Sequence, residues 1–370
     1  MKAETITTVL PPLYARWMDD LLRAEIPHET RSTCDDCAMC APEGESARRD
    51  SFYFSPAVKC CTYQPKLANF LVGQALEDSD FAFSAGRKTL DKRIDDGIGV
   101  TPLGLQQSRI FEVLYHNGKE AFGHASAFRC PHYLEEGGGR CGMWRHRNSI
   151  CATWFCKHER GALGLSFWHR MRDLLMAVED GLSAWCVLES DLERECLAGL
   201  FPQRQKQGTP TGLSAADVDG SPDPEVARGL WGKWLGRERE FYRGCGARVA
   251  ALGWSDVARI GGPEVAVRAR LTRNAFESMT SEKIPERLEA GAFHVVASGT
   301  RAVRVVSYSG TDPLDLDPAV LEILPYFDGR PTREALRAVK KDLKVSVEDD
   351  LVRRLVDFEI LAASKEPEAR

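Results

Sequence analysis

The chain has 370 residues, more than a single average domain, and is long enough to bury a sizeable core. Its composition, 43% hydrophobic and 28% charged, is that of an ordinary globular protein, and no apolar run approaches the roughly 20 residues of a membrane span. A formal net charge of −5 argues against general nucleic-acid binding, which needs a basic surface to neutralise phosphates, but leaves room for a local basic patch.

Near the N-terminus, Leu10, Leu13, Trp17, Leu21 and Leu22 recur at helical spacing behind Pro11 and Pro12, which predicts an amphipathic helix. Glu4, Thr5, Thr7 and Thr8 interrupt any secretory apolar core, so a cytosolic location is expected. Residues 32–50 read as a polar loop with Pro42 and Gly44. Pro65 predicts the opening of a helix whose apolar face is Leu67, Phe70, Leu71 and Leu76, and a short helix is expected over residues 85–95. The stretch 96–128 is punctuated by glycines, and its apolar piece 110–115 has no assigned state.

Phe167, Met171, Leu174, Leu175, Val178, Leu182 and Trp185 predict that residues 165–200 are mainly helix. The tract 203–225, with Gly208, Pro210, Gly212, Gly220, Pro222 and Pro224, has the composition of a linker. A helical segment follows, with Trp231, Trp234, Leu235, Phe241, Tyr242, Cys245, Val249 and Leu252 on one broad face. Two β-rich runs, 293–296 and 303–308, flank Ser298-Gly299 and predict a hairpin; helix-spaced residues then recur over 318–327, 332–342 and 347–361. A hairpin followed by three short helices is a winged-helix-like layout. The expected architecture is mainly α with irregular metal-binding loops and a small α+β winged-helix-like C-terminal domain. Its divisions are a cysteine-cluster domain with a long helix over 1–202, the linker 203–225, a helical segment 226–285 and the C-terminal domain 286–370.

Chemistry concentrates in the cysteines. Cys34, Cys37 and Cys40 fall within seven residues, followed by Cys60-Cys61 and by Cys130, Cys141, Cys151 and Cys156. Such clustering suits chelation better than packing, and thiolates select zinc or iron–sulfur clusters. Nine candidates are one more than two four-cysteine sites use. Adjacent side chains usually point apart, so one of Cys60 and Cys61 is expected to be spare. Three thiols at successive intervals of three suit a loop wrapping a cluster, and the later four lack the paired spacing of zinc ribbons, which favours iron–sulfur over zinc. Cys186, Cys196 and Cys245 sit in helix-spaced apolar patterns and read as packing thiols.

Four thiolates around a divalent ion or a [4Fe–4S] core leave excess negative charge, and Arg129, Arg140, Arg145, Arg147, Lys157 and Arg160 lie among the cysteines. Arg145 and Arg147 are the candidates for charge compensation at the cofactor; a solvated basic face is the alternative. His132, His146 and His158 lie near the ligands, but with enough thiols present they are read as structural. Gly137-Gly138-Gly139 lacks the strand-to-helix context of a phosphate loop and reads as a flexible ligand loop.

These residues resemble the YkgJ-type cysteine-cluster family, described as zinc- or iron-chelating, over roughly residues 30–160. The match is carried by Cys34, Cys37 and Cys40, then Cys130-Pro-His-Tyr-Leu134, Cys141-Gly-Met-Trp-Arg-His-Arg147 and Cys151, with Cys156 after. The chain departs from the family pattern in that no cysteine follows Cys40 directly, and Cys60-Cys61 is expected to replace the family's doublet. The resemblance implies metal or cluster binding without a defined reaction; flagellin lysine methylases are similar in carrying such a cluster, but this chain has no recognisable S-adenosylmethionine motif. More weakly, Leu314-Asp-Leu-Asp-Pro318, Phe327-Asp-Gly-Arg330, Thr332 and the closing helix resemble PqqD-like domains, which implies a peptide or protein partner bound by strand addition to a sheet edge.

Two functions follow as expectations. One is a cytosolic iron–sulfur protein, with one or two [4Fe–4S] clusters, acting in redox or in peptide or protein modification; the other is a zinc-stabilised interaction module without catalysis. The two-residue intervals between Cys34, Cys37 and Cys40 differ from the radical S-adenosylmethionine pattern, and nothing places a lone reactive cysteine beside a histidine and a carboxylate. Whether the chain is an enzyme stays open.

Overall fold

The structure is a computed structural model that describes residues 4–22, 25–26, 34, 37–40, 53–201 and 223–364. It is mainly helical, with small antiparallel sheets. The organising element is the helix Gly161–Leu188, which buries Phe167, Trp168, Met171, Leu174, Leu175, Val178 and Leu182. These recur at three- and four-residue steps, so one stripe faces inward, and each large side chain removed from water stabilises the fold by roughly 1.5–3 kcal/mol. Its main partner is Trp254–Thr280, with the Phe167 and Phe276 rings 5.6 Å apart. That second helix is broken at Gly262, whose φ of 65° leaves the helical region, and Pro263 restarts it.

Asn69–Glu77 crosses Glu238–Ala250 at close range. Glycine makes the approach possible: a Cβ on Gly73 would lie 1.8 Å from the Tyr242 carbonyl oxygen, and one on Gly246 would lie 2.8 Å from the Gly73 carbonyl carbon. The helix expected to open at Pro65 begins at Asn69 instead, because Leu67 and Ala68 pair with Leu105 and Gly104 in a three-stranded sheet. Asn69, fully buried, donates to the carbonyls of Pro102 and Ser183 and ties that sheet to the long helix. The unassigned apolar run lies in the helix Arg109–Asn117, capped by the Ser108 side chain.

Most of the expected linker, 203–222, lies outside the described residues. At its end Asp223 caps the helix Pro224–Trp231, which is separate from Glu238–Ala250. Buried apolar residues from Ile6 to Met279 form one core, so Tyr242, Phe241 and Phe276 of the expected segment 226–285 pack with Phe70 and Phe167. Cys186, Cys196 and Cys245 are buried in it.

A second apolar core begins at Leu288 and ends at Leu361. The expected hairpin is present, His294–Ser298 pairing antiparallel with Val303–Val306, and Leu314–Leu316 joins on the other side. A further sheet, which the sequence pattern did not reveal, places Arg287–Ala290 between Asp328–Pro331 and Leu361–Ala363. The helices Pro318–Ile323, Thr332–Leu343 and Asp349–Asp357 pack with them. This unit holds the chain just after Cys156. The Thr311 hydroxyl donates to the Cys156 carbonyl, the His158 N–H donates to Asp312, and Arg160 pairs with Asp357 while donating to the Met279 and Ser281 carbonyls.

Candidate functional site

Eight of the nine candidate cysteines, Cys34, Cys37, Cys60, Cys61, Cys130, Cys141, Cys151 and Cys156, line one cavity of about 230 Å³. Cys40 stands just behind, its N–H bonded to the Cys37 carbonyl and its thiol hydrogen-bonded to that of Cys37. Both members of the Cys60-Cys61 doublet reach the cavity, so the residue set back from it is Cys40. All nine are free thiols. Among the described residues, no three His, Cys, Asp or Glu side chains converge closely enough to hold a single metal ion.

Separate pieces of chain deliver these thiols. The turn ending at Cys61 is closed by the Lys59 and Cys61 N–H groups, bonded to the Ser55 and Val58 carbonyls, and the Cys61 carbonyl accepts the N–H of Cys130. Cys141 lies on a short strand opposite Tyr133. Cys151 sits on the helix Ser149–Ala152, whose cap Asn148 accepts the Cys151 N–H. That helix is anchored by Glu179 of the long helix, which accepts from the Ser149 N–H and hydroxyl and from the Tyr14 hydroxyl. Burial raises the Glu179 carboxyl to about 7 despite those three donors.

Burial also raises the thiols, to about 11 at Cys130 and about 12 at Cys141 and Cys156, and raises Cys34 and Cys151. Two pairs behave differently. A hydrogen bond from Cys40 lowers Cys37 to about 6 and one from Cys61 lowers Cys60, while Cys40 and Cys61 rise as the donors. A group needing many thiolates would therefore displace protons as it bound.

Two cations, Lys59 and Arg147, line the cavity. Lys59, 8% exposed, donates to the carbonyls of Cys34, Gly138 and Gly139 at 2.6, 2.8 and 2.8 Å. This clamp closes the Cys34 loop onto the triple-glycine loop, whose three residues take φ values of 73°, 83° and 79° that favour glycine. The carbonyls of Gly138 and Gly139 face an ammonium here. Lys59 was missed in the sequence; its signal was a lone base directly before the cysteine doublet. Arg147 stacks over Trp144 at 3.5 Å and donates to the Trp144 carbonyl; burial lowers its guanidinium while Cys141, Cys151, Cys34 and Cys60 oppose that shift. Arg145 does not line the cavity and pairs with Asp80 and Asp78. Arg129 and Arg160 are likewise committed, to Glu135 and Asp357.

The histidines are held by other partners. His132 is buried, with Nδ1 2.9 Å from the Thr89 hydroxyl and Nε2 3.3 Å from Arg93, and burial lowers it to about 3. Since the Thr89 hydroxyl donates to the Gly86 carbonyl and Arg93 donates to Nε2, the ring is neutral with its proton on Nδ1. His146 bonds Asp78, and the His158 ring lies beside Tyr308. The rest of the wall is apolar or aromatic, including Met39, Tyr63, Tyr115, Phe122, Met143 and Trp154. Compared with protein-family models, with curated proteins and with solved structures, the chain gives no match in any of the three.

Proposed function

We propose that the cavity binds an iron–sulfur cluster, one or two of the [4Fe–4S] type, and that the chain acts in redox or in peptide or protein modification in a reducing, cytosolic setting. One observation carries the reading: eight cysteines from separate stretches of the chain line one cavity. A polynuclear cluster holds its ligand sulfurs farther apart than one zinc ion does, since its iron atoms lie between them, and it takes four thiolates apiece. The buried Lys59 and the half-buried Arg147 would offset the excess negative charge that such a group carries.

The winged-helix-like reading of the C-terminal unit gives it the role of docking a peptide. Its hairpin strand His294–Ser298 is the edge of its sheet and is exposed along its whole length, with Val295 and Val296 about half exposed. Such an edge suits strand addition.

Metal analysis tests the first claim. Protein purified without oxygen is expected to be brown, to absorb near 400 nm and to carry iron and acid-labile sulfide in equal amounts, about four or about eight per chain. A colourless protein carrying zinc overturns it in favour of the zinc-stabilised module.

A further inference from the structure

A second surface lies on the helix Thr332–Leu343. Its buried side is Thr332, Ala335 and Val339, and the opposite side carries Arg333, Arg337, Lys340 and Lys341, all exposed. At 3.6 residues per turn these four fall within an arc of about 100° and along about 12 Å of axis. Among the described residues none of the four has a side-chain hydrogen bond or an ion pair; the neighbouring Arg330 and Arg353 pair with Asp328 and Asp350. Lysines at the end of a helix offset its dipole, which accounts for Lys340 and Lys341. It does not account for Arg333, in the first turn, where the dipole disfavours a cation. In a chain of net charge −5, four unpaired cations on one face are a local reversal of sign.

The ridge runs into an apolar groove. Just past Lys344, Val345 is 50% exposed and lines a depression of about 390 Å³ with Val320, Ile323, Val347 and Leu351. Asp317, whose carboxylate caps the Ala319 N–H, and Glu348 line the same groove. The two halves therefore differ in what they accept: anions over the ridge, apolar side chains at its end.

We propose that this face docks an acidic segment of a partner protein, with its carboxylates over Arg333, Arg337, Lys340 and Lys341 and an adjoining apolar side chain in the groove. Charge complementarity selects carboxylates, and the groove favours a peptide, whose apolar side chain can sit next to its charges, whereas a sugar–phosphate backbone presents none. This surface is separate from the strand edge at His294–Ser298 and stands or falls independently of the cysteine cavity.

The test is fluorescence anisotropy on the full-length chain at low salt, with a labelled probe of six glutamates followed by two leucines. Binding is expected, and the double variant Arg337→Glu with Lys340→Glu should weaken it by about tenfold or more, the scale of two exposed ion pairs replaced by repulsions. A second probe, six lysines followed by two leucines, should bind the double variant better than the parent, which shows that charge is what it reads, and an unchanged circular dichroism spectrum and melting midpoint show that the variant is folded. Replacing the probe's leucines by serines should also weaken binding. Equal affinity of parent and variant for the acidic probe overturns the proposal, as does tighter binding of a 20-base-pair duplex or of phosphatidylserine vesicles by the same ridge.

Discussion

Replacing Lys59 by methionine keeps the length of the stem and removes the ammonium, leaving the carbonyls of Cys34, Gly138 and Gly139 without their donor. A loss of about 3 kcal/mol is expected in urea unfolding, the scale for withdrawing a charged donor from buried acceptors, together with lower iron content. An unchanged midpoint would mean that the clamp is incidental. Glu179 gives a test by pH. Its carboxyl is raised to about 7 in the folded chain against an ordinary value near 4.5, so between those limits the folded state holds a proton that the unfolded state has lost. Stability should therefore rise as pH falls from 8 to 5, by on the order of 2 kcal/mol from this group, and Glu179→Gln should flatten that rise. A slope that persists in the variant assigns it to another group. At this scale the cysteines were legible because clustering is visible in the chain itself. Lys59 and Glu179 were not, since a buried charge is recognised only by the partners that surround it.

Helices built on a clear apolar stripe were legible as elements, and Gly161–Leu188 is the plainest case. Trp254–Thr280 lies within the expected helical segment 226–285, but its bounds were not legible because its inward residues include small or polar ones, Ala269 and Thr272, and Gly261-Gly262-Pro263 interrupts the rhythm. Nor does periodicity show where two helices touch. Gly73 and Gly246 read as weak helix positions, yet they set the crossing of Asn69–Glu77 over Glu238–Ala250. Gly73→Ala forces its Cβ against the Tyr242 carbonyl and should cost about 3 kcal/mol in thermal or urea melts, a case of overpacking against backbone. Gly137→Ala meets nothing within 4 Å and only has to hold a φ of 73°, so about 1 kcal/mol is expected. If the two variants melted alike, the close crossing would not be what Gly73 provides.

At the scale of the molecule, the change of character after residue 285 was visible in the sequence, and the structure places a separate apolar core there. The bond network that ties this unit to the cysteine segment was not visible, because Thr311, Asp312 and Asp357 are distant in sequence from Cys156, His158 and Arg160. That network makes the two halves answer to one another. Loading the cavity with iron and sulfide should slow amide hydrogen exchange not only around the cysteines but also over residues 307–316, by about fivefold or more for a coupling near 1 kcal/mol. Protection confined to the cysteine segments would show that the contact carries no energy between them.

The Lys59 clamp also bears on the order in which the site is assembled. Cys151 stands on a helix anchored to Glu179, and Cys130 is bonded to Cys61, so these walls form with the body of the protein. Cys34 is held through Lys59, and the Met39 carbonyl accepts the Phe54 N–H, contacts made outside the helical core. On the proposed cluster-binding reading these residues would form the last wall, the cover of a preformed half-shell. Uptake would run in two phases, and release would be limited by how often that cover lifts.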